Sequence, residues 1–337
     1  MKTRLLTPAD TGLAAEIIRN GGLVGIPTET VYGLGADGLN PGAVAGIFQA
    51  KGRPQDNPLI LHIPEAGWLE RFCKNIPPSA HALAGAFWPG PLTMVLDRRS
   101  NVPNRTTGGL DTVGMRCPAH PVCREIIAAA DTPIAAPSGN TSGRPSPTSA
   151  LRMLEDMDGK IDAVLDGGPC TVGVESTIID LTCPIPRLLR PGGVTLEQLQ
   201  DVLGDVAVDE AVTRQMKPGE RPRAPGMKYR HYAPKAPVTV VRGDPVRTAR
   251  YILRHMAGGD GVLCFAEFTG EFSGHPVQSL GPAADKGEQA RRVFDALRAM
   301  DSTGAEHIWA QCPDDLGLGL AVNNRLNKAA GFHMIEV

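Results

Sequence analysis

Aromatic residues are scarce in this chain, at 4% of its 337 positions. That shortage argues against a nucleic-acid surface built on stacked rings. Neither sign of charge prevails: 34 Lys and Arg stand against 36 Asp and Glu, for a formal net charge of -2. A chain coated in basic surface is excluded, while a local basic concavity is not. No apolar run approaches the length of a membrane span, and the N-terminal MKTRLLTPAD has no apolar stretch to make a signal peptide. The seven cysteines form no Cys-x-x-Cys pair, and their odd number argues against a full disulfide framework. A soluble protein of the reducing cytoplasm, with no membrane partner, is expected. No Cys/His cluster suggests a metal site, no Ser-His-Asp order suggests a hydrolase, and no metal-ligating side chain is assigned.

What the chain does have is glycine (39) and proline (30), which suit many tight connections between short strands and helices. The length allows about two domains. Residues 1 to about 205 alternate helix and strand patterns. Asn40 and Pro41 supply a cap and a first-turn proline for a helix carrying Val44, Ile47 and Phe48. Strands are expected at Leu23 to Ile26, Leu59 to Ile63, Thr93 to Leu96, Thr112 to Met115, Ile134 to Ala136, Ala163 to Leu165, Thr177 to Leu181 and Leu188 to Arg190. Several are consecutive, so the sheet should be mixed rather than purely parallel. From Pro237 strand and helix alternate, as in a small parallel α/β sheet, without the Gly-x-Gly-x-x-Gly turn of dinucleotide binding. The expected division is 1–209, a linker at 210–236, and 237–337. That linker contains APGMKYRHYAP, unusual for a spacer in holding two tyrosines and a histidine within four residues.

The most informative stretch is PTETVYGLGAD (Pro27 to Asp37), followed by AKGRPQDNPLILHI (Ala50 to Ile63). A buried-strand pattern runs directly into hydroxyls, a carboxylate and a phenol, the placement expected of groups that face a ligand. Lys51 and Arg53 then read as a rigid anion clamp, Arg offering a planar fork and Lys a point charge. The loop IAAPSGNTSGRPSPT (Ile134 to Thr148) offers small side chains and exposed amides that can cradle phosphate oxygens, though it is not a Gly-x-x-x-x-Gly-Lys-Ser/Thr loop. LDTVGMR, GVEST and LLRPGG repeat the strand-then-polar pattern and add two arginines. Together they suggest binding of a polyanion in an electropositive concavity, without a dedicated nucleophile. The same cations leave an RNA-binding module open as the alternative, which the near-neutral total charge disfavours.

Read in order, PTETVYGLG, AKGRPQDNPLILHI, WPGPLT, GLDTVGMRCPAHP, APSGNTSGRPSPT, GVESTIIDL and LLRPGG closely resemble the Sua5/YrdC/YwlC family of threonylcarbamoyl-AMP synthases. APGMKYRHYAP and the tail LAVNNRLNKAAG resemble the longer, two-domain Sua5 type. One departure is Gly139, where the family more often has Ala. The resemblance implies an α/β fold: a YrdC-like domain with a twisted mixed sheet and an electropositive concavity, then a smaller Rossmann-like parallel α/β domain. It implies a nucleotidyltransferase that uses L-threonine, bicarbonate and ATP, with Mg2+ on the phosphates, to make threonylcarbamoyl-AMP for tRNA threonylcarbamoyladenosine (t6A). tRNA is not required for this step, and other proteins carry out the later transfer. By motif position Lys51 and Arg53 form the family's Lys-x-Arg pair, and Ser138 and Asn140 its Ser-x-Asn pair, as catalytic residues. Threonine contacts are expected at Thr30, His62, Arg116 and Ser176. ATP contacts are expected at Arg53, Asn57, Thr112, Ser138, Ser146, Arg190, His231 and Tyr232.

Overall fold

Short apolar runs punctuated by glycine and proline fold, in a computed structural model, into two separate sheets. Described are residues 2–54, 57–214, 222–225 and 232–337. The first sheet holds β1 (Arg4–Leu6), β2 (Val24–Ile26), β3 (Gly33–Asp37), β4 (Ile60–His62), β5 (Leu92–Asp97), β6 (Thr112–Arg116), β7 (Ile134–Ala135), β8 (Ala163–Leu165), β9 (Thr177–Asp180), β10 (Arg187–Arg190) and β11 (Ala207–Val208). Its order is β1-β8-β2-β3-β7-β4-β6-β5-β9-β10-β11. The second holds β12 (Val238–Arg242), β13 (Gly261–Cys264), β14 (Val277–Ser279), β15 (Ile308–Cys312) and β16 (Met334–Glu336), in the order β14-β13-β15-β12-β16. The helices are α1 (Thr11–Arg19), α2 (Pro41–Lys51), α3 (Leu69–Phe72), α4 (Pro78–Phe87), α5 (Asn104–Thr107), α6 (Pro121–Ala130), α7 (Ala150–Met157), α8 (Leu196–Leu203), α9 (Pro245–His255), α10 (Lys286–Met300) and α11 (Gly319–Ala329).

The first sheet is mixed, as the consecutive strand patterns suggest. β2 pairs antiparallel with β3 but parallel with β8, and β6 runs parallel to β4 but antiparallel to β5. One face packs Leu34, Leu61 and Met94 against Val44, Ile47 and Phe48 of α2 and Leu83 of α4. The other packs Val24, Ile26, Ile134 and Leu165 against Ile18 of α1 and Ile126 and Ile127 of α6. Every pairing in the second sheet is parallel, as strand-helix alternation requires. Among the described residues no helix is long and apolar enough to cross a membrane, and all seven cysteines are free.

Several elements escape a reading of sequence pattern. β3 is GLGAD, poor in strand-forming side chains. Its glycines answer to packing: a Cβ at Gly33 would lie 3.2 Å from Ala136 Cβ, and one at Gly35 would lie 3.0 Å from Ile134 Cγ2. Lys51 of the expected clamp closes a regular helix, with Arg53 two residues beyond it. Asn40 Oδ1 caps that helix by accepting from the Gly42 and Ala43 amides, and Gly52 ends it in the left-handed region at φ 62°. Lysine is favoured in that last turn, where the helix dipole presents its negative end.

Candidate active site

The segment between β2 and β3 is shaped by its own hydroxyls. Thr28 Oγ1 accepts from the amides of Thr30 and Val31, both at 3.2 Å, and donates to Val31 O at 2.6 Å. Its hydroxyl also sits 2.8 Å from that of Thr30, which fixes Thr30 at the end of the strand. The Ser-Gly-Asn loop after β7 is tied to the same segment. Gly139 donates its amide to Tyr32 O at 2.7 Å, and Leu34 donates to Pro137 O at 2.8 Å. From α2, Lys51 Nζ donates to Asn140 O at 2.6 Å and to Ser138 O. Three separate stretches of chain therefore meet at one point.

They form the wall of a cleft lined by Thr28, Thr30, Lys51, Arg53, His62, Arg116, Ser138, Asn140, Glu175, Ser176, Arg190 and Tyr232, among others. Ten of the residues expected to serve the site are thus brought together: Thr30, Lys51, Arg53, His62, Arg116, Ser138, Asn140, Ser176, Arg190 and Tyr232. Ser146 is buried just behind, its hydroxyl donating to Glu175 Oε1 at 2.6 Å. Asn57 is buried with neither amide atom hydrogen-bonded among the described residues. Thr112 stands elsewhere, in a smaller hollow with Thr93, Gly114 and Arg223 that meets the cleft at Ile60 and Pro225. His231 lies outside the described residues.

The electrostatics are strongly perturbed by burial. Burial, with Arg53 alongside, holds the Lys51 ammonium well below the usual lysine range. His62 is pushed down to about 3 by burial and by the neighbouring Arg116, so it is neutral at physiological pH. Burial lowers Arg190 to about 10, still cationic at neutral pH, and its guanidinium donates to Ser176 O at 2.9 and 3.1 Å. Burial alone would raise Glu175, but Arg325 and Arg190, aided by the Ser146 hydroxyl, hold it at about 2. Arg116 Nη2 lies 2.8 Å from Glu29 Oε1. That approach lacks hydrogen-bond geometry, so among the described residues both buried groups keep unused hydrogen-bonding capacity. An amino acid carries the opposite charges to fill it.

The sequence pattern places Thr28 and Glu29 among groups expected to face a ligand, and Glu175 in the similar GVEST run, but gives none of them a specific contact, and it does not single out Ser142. The two carboxylates stood in the quoted motifs, and a lone acid among hydroxyls and cations was the available signal. Among the described residues no three His, Cys, Asp or Glu gather to hold a metal ion. Both oxygens of Glu175 are already engaged, by Ser146 and Arg325.

A family model for Sua5/YciO/YrdC proteins, described as "Telomere recombination", matches residues 16–192. A second, described as the threonylcarbamoyl-AMP synthase C-terminal domain, matches residues 194–331. The chain belongs to the Sua5/YrdC family, in its two-domain threonylcarbamoyl-AMP synthase form. It is 50% identical over 327 residues to the threonylcarbamoyl-AMP synthase of Pyrococcus abyssi, covering 96% of this chain and 95% of that one. The Bacillus subtilis threonylcarbamoyl-AMP synthase is 45% identical over 326 residues, covering 96% and 93%. The crystal structure of Pyrococcus abyssi Sua5 complexed with L-threonine superimposes with a TM-score of 0.91 at 45% identity and covers the whole of both chains. These family members bear out the synthase reading and do not favour an RNA-binding module.

Proposed function

We propose that this chain joins L-threonine, bicarbonate and ATP into threonylcarbamoyl-AMP, with release of pyrophosphate, to supply t6A formation in tRNA. The threonine amine first captures carbon dioxide from bicarbonate as a carbamate, losing water. A carbamate oxygen then attacks the α-phosphorus in line, forming the mixed anhydride as the α–β bridging bond breaks and pyrophosphate departs. Such a transfer needs positioning and charge neutralisation more than a protein nucleophile. The single observation that carries the reading is the convergence of ten motif residues on one cleft.

The roles divide by chemistry. Arg116 and Glu29, a buried pair with unused capacity, suit the carboxylate and amine of threonine, with Thr30, His62 and Ser176 beside them. His62, being neutral, contributes hydrogen bonds rather than charge. In the same cleft, Arg53, Ser138 and Asn140 would meet the polyphosphate together with Arg190, which is bonded to Ser176, and Lys51 would hold the loop carbonyls of Ser138 and Asn140 or turn to a phosphate. Asn57, whose amide has no partner among the described residues, and Ser146 complete the ATP side, with Thr112 in the adjoining hollow. Tyr232 closes the cleft from the 210–236 linker. Mg2+ would enter as part of the nucleotide substrate.

A cytoplasmic setting fits the seven free thiols, and tRNA would meet the product through later transfer proteins. The test is pyrophosphate release measured with each substrate omitted in turn. Release should require ATP, threonine and bicarbonate together, and release that is indifferent to threonine contradicts the proposal.

A further inference from the structure

The C-terminal unit reaches the phosphate-side loop through buried guanidinium groups. Arg298, on α10, is almost wholly buried although it is an arginine on a 15-residue helix. Its Nη2 donates to Pro145 O at 2.6 Å and to Asp156 Oδ2 at 2.8 Å, and its Nη1 lies 3.3 Å from Glu155 Oε2. Asp156, on α7, is buried too and accepts the Thr141 amide at 3.1 Å, one residue beyond Asn140. Arg144 joins the same carboxylate and also lies 3.4 Å from Asp301, just past the end of α10. Inside the loop, Asn140 Nδ2 donates to Arg144 O at 2.8 Å.

A second anchor comes from α11. Arg325, fully buried, donates from Nε to Glu175 Oε2 at 2.7 Å, and Glu175 in turn accepts from Ser146. The two arginines therefore grip neighbouring positions: Arg298 the carbonyl of Pro145, and Arg325, through Glu175, the hydroxyl of Ser146. α10 and α11 also hold the linker. Asp301 accepts the Lys235 amide at 2.7 Å, and the Tyr232 ring packs 5.0 Å from that of Phe294. Tyr232 sits at φ 65°, a conformation that persists only where its surroundings enforce it.

Building charged groups so deeply between two units is costly unless they are fully paired, and a hydrophobic contact would give comparable adhesion. What a guanidinium fork adds is geometry, since it fixes several acceptors at once in one plane. We infer that Arg298 is a positioning residue for the nucleotide: it sets the conformation of the 138–146 loop, so that the C-terminal unit completes the ATP side of the cleft. This rests on the synthase reading for its kinetic consequence, but not for the structural one.

The experiment compares full-length wild type, Arg298→Met and Arg298→Lys by steady-state kinetics and by hydrogen exchange without substrates. In Arg298→Met the KM for ATP should rise about 10- to 100-fold while the KM for threonine stays within about twofold. Amide exchange at Gly139, Thr141 and Ser142 should quicken at least tenfold, with exchange in the central strands β4 and β6 unchanged. Lysine reaches one acceptor but not the whole fork, so Arg298→Lys should recover part of both effects. It also serves should the methionine variant fail to fold. Unchanged loop exchange, or equal losses for ATP and threonine, would overturn the inference. A wild-type protein that makes no adenylate would instead sink the functional reading, leaving the exchange data to judge the positioning role.

Discussion

Replacing His62 with glutamine gives a quantitative test of how the threonine side of the cleft is built. His62 is buried on β4, and in the parallel register its neighbour is Arg116 of β6. Burial and that guanidinium together lower it from 6.5 to about 3. The unfolded chain takes up this proton near 6.5 and the folded chain only near 3. Between those values the unfolded state binds more protons, so stability falls as pH falls through the window. The gap corresponds to about 5 kcal/mol at roughly 1.36 kcal/mol per pH unit, of which about 2 kcal/mol should be lost by pH 5. Denaturant unfolding of wild type and His62→Gln at pH 7.5, 6, 5 and 4.5 reads the effect as a difference, because other titrating groups cancel. The variant should lose about 2 kcal/mol less than wild type between pH 7.5 and pH 5. Parallel curves, or an imidazole titrating near 6.5 in the folded protein by NMR, would refute the picture of a neutral, desolvated histidine.

Other expectations concern the cleft walls. Lys51→Met should lower the rate of pyrophosphate release by about 10²- to 10³-fold, the usual cost of losing one charge partner of a transition state. Because burial depresses the Lys51 amine, wild-type stability should rise as pH rises from the folded value toward 10.5, and that rise should flatten in Lys51→Met. Glu29→Gln leaves Arg116 buried without its counter-charge; unfolding free energy should fall by roughly 3–5 kcal/mol, with a raised KM for threonine, and an unchanged KM would count against the pair's assigned role. At Gly192 a Cβ would stand 2.2 Å from Glu175 O and 2.4 Å from Thr177 N, both backbone atoms. Gly192→Ala should therefore cost roughly 1–3 kcal/mol in thermal or denaturant unfolding, and a neutral result would show that the two segments do not approach so closely.

Much of this arrangement is legible in the sequence, and the reasons are physical. The Asn40–Pro41 cap and the Val44, Ile47, Phe48 stripe announce α2, because capping and helical spacing are local properties. β8 falls on the expected residues, and the all-parallel second sheet follows from strand-helix alternation. For the cleft, polar side chains after apolar strands point collectively to a polyanion-binding concavity, while the individual contacts follow from the motif-by-motif resemblance. What stayed hidden depends on distant partners. GLGAD becomes β3 by pairing with β2 and β7, with Ala136 and Ile134 close against Gly33 and Gly35. α11 looks polar enough for a solvated surface, yet Asn323, Asn324, Arg325 and Lys328 are all buried. Asn324 reaches Val212 O and Arg325 reaches Glu175, so their polarity serves the junction between units. No periodicity in one segment can announce a partner 150 residues away.

The most direct measurement is mass spectrometry of the small molecules formed when the full chain is incubated with ATP, L-threonine and 13C-labelled bicarbonate. The account predicts threonylcarbamoyl-AMP one mass unit heavier than with unlabelled bicarbonate, formed in step with pyrophosphate and abolished when threonine is omitted. A folded protein that consumes ATP without producing this adenylate, or yields one lacking the labelled carbon, would contradict it.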